Sequence, residues 1–180
     1  MKYKNRRDDK YNRYEPNSYY IGIVEAMAYV FEYAVKKYHY NLLDFTQKFL
    51  QSDVFDRFHE DISLFSQSPL YVVEHFLREE KVNVKLNEES PGKLSLKDSA
   101  NAGHWLGYVL CTWHIVDEIT GKEILEKYDV EMIILDYFPL HCTSVSLAID
   151  EIKREYTREK IQEDAKKSGR DIEIVKEELY

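Results

Sequence analysis

The stretch SQSPLYVVEHFL at 66–77 and the stretch CTSVSLAIDEI at 142–152 run through the same order of residue types, small polar, apolar, acidic, apolar. The match extends in both directions. Asp53 and Val54 correspond to Asp129 and Val130, and Leu64 corresponds to Leu140, each at an offset of 76. Upstream, Tyr29 corresponds to Tyr108 at an offset of 79, so one connection is three residues longer than its counterpart. A unit of about 45 residues is too small to bury its apolar face well alone. Two such units can close one core between them. The duplication therefore predicts an all-α fold of two related helical units packed together, sharing a core through Val73, Phe76, Ile149 and Ile152.

The helices follow from periodicity. After the start signal Pro16-Asn17-Ser18, Ile23, Met27, Val30, Phe31 and Ala34 recur at three and four residues, which predicts an amphipathic helix to about Tyr38. A shorter helix carries Leu43, Phe45, Phe49 and Leu50. Asp53 is expected to cap a one- or two-turn piece that carries Val54, Phe55 and Phe58. Ser68 caps a helix with Pro69 at its first position, where a missing N–H costs nothing, and Leu70, Val73, Phe76 and Leu77 form its stripe. In the second unit, Ser99 is expected to cap a helix to Ile119 with Trp105, Leu106, Val109, Trp113 and Val116 inside, and Gly121 to end it. A short helix follows over 122–128. A long last helix is expected from Ser144 through Lys167, with Leu147, Ala148, Ile152 and Tyr156 as its apolar stripe. The organisation read from the chain is an arm at 1–17, a first unit at 18–80, a linker or hairpin at 81–98, a second unit at 99–168 and an acidic tail at 169–180. The hairpin reading rests on the alternation of Val82, Val84 and Leu86, then Leu94 and Leu96, around the turn EESPG.

Six glycines and four prolines in 180 residues suit helices better than a many-turned sandwich or barrel. No apolar run approaches the roughly 18 residues of a membrane span. The charged N-terminus MKYKNRRDDKYNRY lacks the apolar segment of a signal peptide. Two cysteines make no disulfide framework, and the expectation is a cytoplasmic protein with free thiols.

The formal charge of −8 is unevenly spread. Residues 1–15 hold six Lys and Arg against three Asp and Glu, which leaves −11 on the remainder. Residues 117–151 hold nine acids against two lysines. Such a body repels phosphates, so direct DNA binding by it is not expected, and it suits a protein partner with a basic surface. Glu123, Glu126, Asp129, Glu131 and Asp136 are the candidate partner-binding acids. Arg6, Arg7, Tyr11 and Tyr14 of the arm are the second candidate set, because Tyr and Arg favour interfaces.

Chemistry is harder to place. Cys111 and His114 share a helix face, and His141 and Cys142 follow, which invites a zinc reading. Adjacent His141 and Cys142 would struggle to aim at one ion, and no metal site is expected. Cys142 with His114 as base has no glycine-rich turn or oxyanion nest beside it. His59, Glu60 and Asp61 are adjacent and point apart on a helix. No nucleotide, P-loop or HExxH motif occurs, so no cofactor and no catalytic residue is expected. A metal- or thiol-dependent enzyme stands as the alternative of a different class.

Within 102–152, AGHWLGYVLCTWH, TGKEILEKY and LHCTSVSLAIDEI resemble a widespread family of small helical proteins of Firmicutes, often carried near mobile elements, with a WxGYxxxxW helix and an LHxxSxxxAIDxI helix. Cys111 and Thr112 stand where that family more usually has Tyr-Arg. Some related short proteins sit beside ADP-ribosyltransferase-like toxins, so the resemblance implies an antitoxin. An acidic body with a short basic arm is also similar in character to phage anti-CRISPR inhibitors of type II effectors. That similarity implies a non-enzymatic inhibitor of a nucleic-acid-handling enzyme, with a CRISPR effector nuclease as candidate target. The C-terminal extension is expected to pack on a second copy of the protein.

Overall fold

The computed structural model describes Tyr14, residues 18–86 and residues 95–168. Among these the chain forms eleven helices and no strand or sheet. The first unit holds α1 (Ser18–Tyr38), α2 (Leu42–Leu50), α3 (Asp53–Arg57), α4 (Ile62–Phe65) and α5 (Pro69–Glu80). The second holds α6 (Leu96–Asp117), α7 (Gly121–Lys127), α8 (Val130–Leu135), α9 (Tyr137–His141) and α10 (Val145–Glu155), and α11 (Arg158–Ser168) follows.

The two units repeat one helix order, and their punctuation matches. α1 and α6 both end at a left-handed residue, His39 and Glu118, each with φ of 54° and again 79 positions apart. α5 and α10 both begin at a serine whose hydroxyl accepts an early backbone N–H, Ser68 from Tyr71 and Ser144 from Leu147.

Equivalent helices pack on each other, α1 on α6 and α2 on α7, while α5 lies on α1 and α10 on α6. The central crossing depends on Gly103 and Gly107, one turn apart in α6. A Cβ on Gly107 would lie 3.0 Å from the Cα of Ala28, its own counterpart in the repeat, and 2.9 Å from the carbonyl oxygen of Met27. Only a bare backbone lets the long helices approach so closely.

Val73, Phe76, Ile149 and Ile152 are fully buried in one continuous core built from both units, as the duplication implies. Its first-unit side is aromatic. Phe49 meets Phe45, Phe55 and Phe76 at ring-centroid distances of 5.2, 6.1 and 5.1 Å, mostly edge to face. The second unit fills equivalent positions with Leu110 for Phe31, Ile124 for Phe45 and Ile152 for Phe76, all buried. Each such side chain contributes roughly 1.5–3 kcal/mol on burial, so the copies keep the pattern while changing the shapes.

Several expectations are corrected. α6 begins at Leu96, not after Ser99. Its cap is Ser95, whose hydroxyl accepts from the Asp98 amide at 3.1 Å and donates to the Asp98 carboxylate at 2.6 Å. Ser99 is buried inside the helix. Gly121 does not end α6; it opens α7. The cap of α3 is Ser52, whose hydroxyl accepts from the Phe55 amide, and Asp53 is the first helical residue. Val82 and Val84 form no strand, and Leu86 makes only an isolated bridge to Tyr40. The turn of the expected hairpin, 87–94, and the tail, 169–180, lie outside the described residues. The single long C-terminal helix is two helices. Thr157 bridges to Tyr128, the carbonyl of Tyr156 accepts from the Asp129 amide at 3.0 Å, and Thr157 restarts the chain by capping α11. In α11, Ile161 packs against the core and Ala165 is buried, so its apolar residues face inward.

Candidate functional site: an acidic groove beside α10

α9, the turn after it and α10 enclose a groove of about 550 Å³. Pro139 and Leu140 contribute its apolar side from α9, and Leu147 from α10. Leu147, expected in the apolar stripe of this helix, is instead 49 % exposed on the face opposite the core. Asp136, Asp150 and Glu151 add three carboxylates, against one cation, Arg154. The helical repeat explains the arrangement. Ala148, Ile149 and Ile152 take the core face of α10, which leaves Leu147, Asp150, Glu151 and Arg154 on the other.

The carboxylates differ in what they are committed to. Asp136 accepts the hydroxyl of buried Tyr156, and burial together with that carboxylate pushes the phenol far up. Glu151 pairs with Arg154, which also binds Glu155 at 2.7 Å. Asp150 is exposed and has no hydrogen bond or ion pair to any described residue. Carboxylate beside exposed aliphatic surface suits a lysine or arginine, whose stem is apolar and whose head is charged.

The acids singled out in the sequence fare unequally. The Glu123 carboxylate accepts the amide and the hydroxyl of Thr120, both at 2.9 Å, in a reciprocal cap on α7. Asp129 is 8 % exposed and caps α8 by accepting from the Met132 amide at 3.2 Å. Both are committed to helix ends. Glu126 is exposed, Glu131 is half-buried, and of the five only Asp136 lines the groove. Asp150 and Glu151 were counted in the acidic stretch without being singled out. The signal that separates them is helical phase, since both fall opposite the α10 core stripe.

Arg6, Arg7 and Tyr11 lie outside the described residues. Tyr14 departs from its expected place on a free arm, because it is fully buried. Its amide donates to the Ser146 hydroxyl at 3.2 Å and its phenol to Asp117 at 3.0 Å. The Lys153 ammonium binds Asp117 and Tyr14 and lies 5.0 Å from the Tyr14 ring centre and 5.5 Å from that of Trp113. An aromatic residue with a hydroxyl gains more here, between charge and rings, than in water.

The soft ligands do not converge. Among the described residues no group of three or more His, Cys, Asp or Glu side chains is arranged to hold a metal. Cys111 is buried, and burial pushes its thiol far up, so the nucleophilic thiolate is suppressed. Cys142 is exposed and lies 3.9 Å from the ring nitrogens of His141, which stacks on Tyr137. His114 turns to the other unit instead. Its Nδ1 is 2.6 Å from the Ile119 carbonyl, and its Nε2 is 3.1 Å from the Asp56 carbonyl and 3.0 Å from Nδ1 of His59. Asp56 accepts from the Gly121 amide at 2.8 Å, so this cluster joins α3 to the α6–α7 turn.

The joint predicts a pH dependence. Burial, and then the neighbouring His114, hold His59 below its ordinary value of 6.5, with Glu60 and Asp56 opposing. The unfolded chain therefore binds a proton that the folded joint resists, and stability falls as pH drops below about 6.5. Asp61 and Glu123, whose carboxyls are held low by hydrogen bonds from Ser63 and Thr120, act below their ordinary 3.8 and 4.5, a separate window. Urea midpoints measured from pH 8 to 5 should fall through the histidine window, and His59→Gln should flatten that part of the curve. An unchanged slope in the variant would assign the dependence elsewhere.

Among the described residues no helix is long and apolar enough to cross a membrane. No protein family, no characterised protein and no solved structure matches this chain significantly.

Proposed function

We propose that the chain is a non-enzymatic inhibitor that presents the groove between α9 and α10 to a basic segment of a nucleic-acid-handling enzyme, with a CRISPR effector nuclease as candidate target. The observation that carries this reading is the exposed Asp150, free of any described partner, beside Glu151 and the exposed Leu147. A basic channel that holds a nucleic-acid backbone by charge offers the complementary surface. Carboxylates seated there would occupy the place of phosphates, and the association would weaken with salt.

The antitoxin reading uses the same groove. Leu140, Thr143, Leu147 and Asp150 all fall within LHCTSVSLAIDEI, the segment carrying the family resemblance, and all line it. A toxin with a basic surface would dock there equally well.

A nuclease titration separates the two. Wild type should block cleavage stoichiometrically, and Asp150→Lys with Glu151→Lys should weaken that block about tenfold or more, since reversing charges at a contact slows association and loosens the complex. If neither protein alters cleavage at any ratio, the nuclease reading falls. Neutralisation of a co-encoded toxin by wild type, lost in the double variant, would then support the antitoxin.

A further inference from the structure

The place where Tyr14 is held bears on what fills this groove. Its amide is bonded to Ser146 in the first turn of α10, so residue 13 leaves the described structure there. Ser146 adjoins Leu147 and lies one turn from Asp150, both of which line the groove. Thirteen extended residues reach about 40 Å, whereas α10 with its eleven residues is only about 16 Å long. The whole groove is therefore within reach of residues 1–13. They carry six lysines and arginines against two aspartates, the opposite sign to the carboxylates of the groove.

We propose that residues 1–13 of this chain, through Arg6 and Arg7, occupy the acidic groove of their own α9–α10 face and compete with any basic partner for it. The clause about the partner rests on the reading of the groove given above; the occupancy itself does not. The tether makes weak attraction sufficient. A tether of about ten residues holds its end at an effective concentration of the order of millimolar, so an intramolecular contact forms even when the same peptide would bind poorly in trans. Charge is the source of attraction, so salt competes with it. A groove covered for about nine-tenths of the time shows an outside ligand an affinity about tenfold weaker than the bare site.

The native cysteines allow the test on the full chain. Cys142 is exposed beside Thr143 at the groove rim, and Cys111 is buried with its thiol pushed far up, so a nitroxide reagent goes to Cys142. The amide signals of residues 2–10 should be broadened by that label in wild type. They should recover in Asp150→Lys and at about 0.5 M salt, where the Debye length is only a few ångström. Signals that are sharp in wild type, or equally broadened in wild type and Asp150→Lys, would overturn the proposal. The second measurement uses a fluorescent decalysine peptide as partner probe. Arg6→Gln with Arg7→Gln in the full chain should bind it about tenfold tighter than wild type, and the gain should vanish in the Asp150→Lys background, where a gain from net charge alone would persist. Equal affinity would overturn the competition while leaving the groove as a site for basic ligands. Broadening that depends on Asp150, with no probe binding to either protein, would uphold the occupancy and remove the partner reading.

Discussion

Gly121→Ala should destabilise the protein by about 3 kcal/mol or more, the upper range for overpacking a well-filled contact, or roughly 6–12 °C in the thermal midpoint of a chain this size. The cause is the seating of α7 against the end of α2. A Cβ on Gly121 would lie 2.2 Å from the carbonyl oxygen of Leu50 and 2.9 Å from its Cα. These are backbone atoms of a buried residue, so no side chain can swing aside to make room. The Gly121 amide also donates to Asp56 at 2.8 Å, and a shift of α7 would break that bond. Gly22→Ala provides the opposite sign from the same chemical change. Its Cβ would meet nothing within 4 Å inside α1, and alanine there should stabilise by about 1 kcal/mol. Thermal melts of the two variants should move in opposite directions. A Gly121→Ala protein as stable as wild type would mean that the two units are not so closely apposed.

Asp117→Ala should cost about 2–3 kcal/mol, at or just below the lower limit for breaking a fully buried charge pair, since the partners keep some contact with water. Asp117 accepts from the Tyr14 hydroxyl and from the indole nitrogen of Trp113, each at 3.0 Å, and pairs with Lys153. Truncation leaves the ammonium, at 27 % side-chain exposure, facing two aromatic rings without its counter-charge. It also leaves the indole N–H of fully buried Trp113 without its acceptor. Denaturant melts followed by tryptophan fluorescence would measure the loss. Lys153→Met in the Asp117→Ala background should recover part of it, because the stranded charge is then gone. A double variant no more stable than Asp117→Ala would place the cost on the tyrosine and tryptophan hydrogen bonds rather than on the ammonium.

The core stripe of α1 was legible because five apolar residues at three- and four-residue spacing leave few alternatives: Ile23, Met27, Val30, Phe31 and Ala34 are all buried. The serine cap of α5 was legible for the same local reason, since a hydroxyl that binds the third amide acts within one turn, and Ser144 was legible as the start of α10. The start of α6 was also written locally, in Ser95-Leu-Lys-Asp98. There the alternation of Leu94 and Leu96 competed with the capping signal and favoured a strand. The groove was only half legible. The density of acid in 117–151 was visible, but the capping box Thr120-Gly-Lys-Glu123 was hidden by reading Gly121 as the end of α6, and Asp150 separates from the caps only by its helical phase on α10.

The sequence by itself determined the helical class, the duplication and the sharing of one core, because these rest on periodicity and on how little apolar surface one unit can bury alone. Only the tertiary structure decided where α10 stops, since the interruption at Tyr156 and Thr157 is held by Tyr128 and Asp129, distant in sequence. It decided that His114 meets His59 rather than a cysteine, and that Tyr14 is buried instead of free. In each case the partner sits tens of residues away or more. Local propensity carries no record of such a contact, which exists only once segments distant in sequence are brought together in the folded chain.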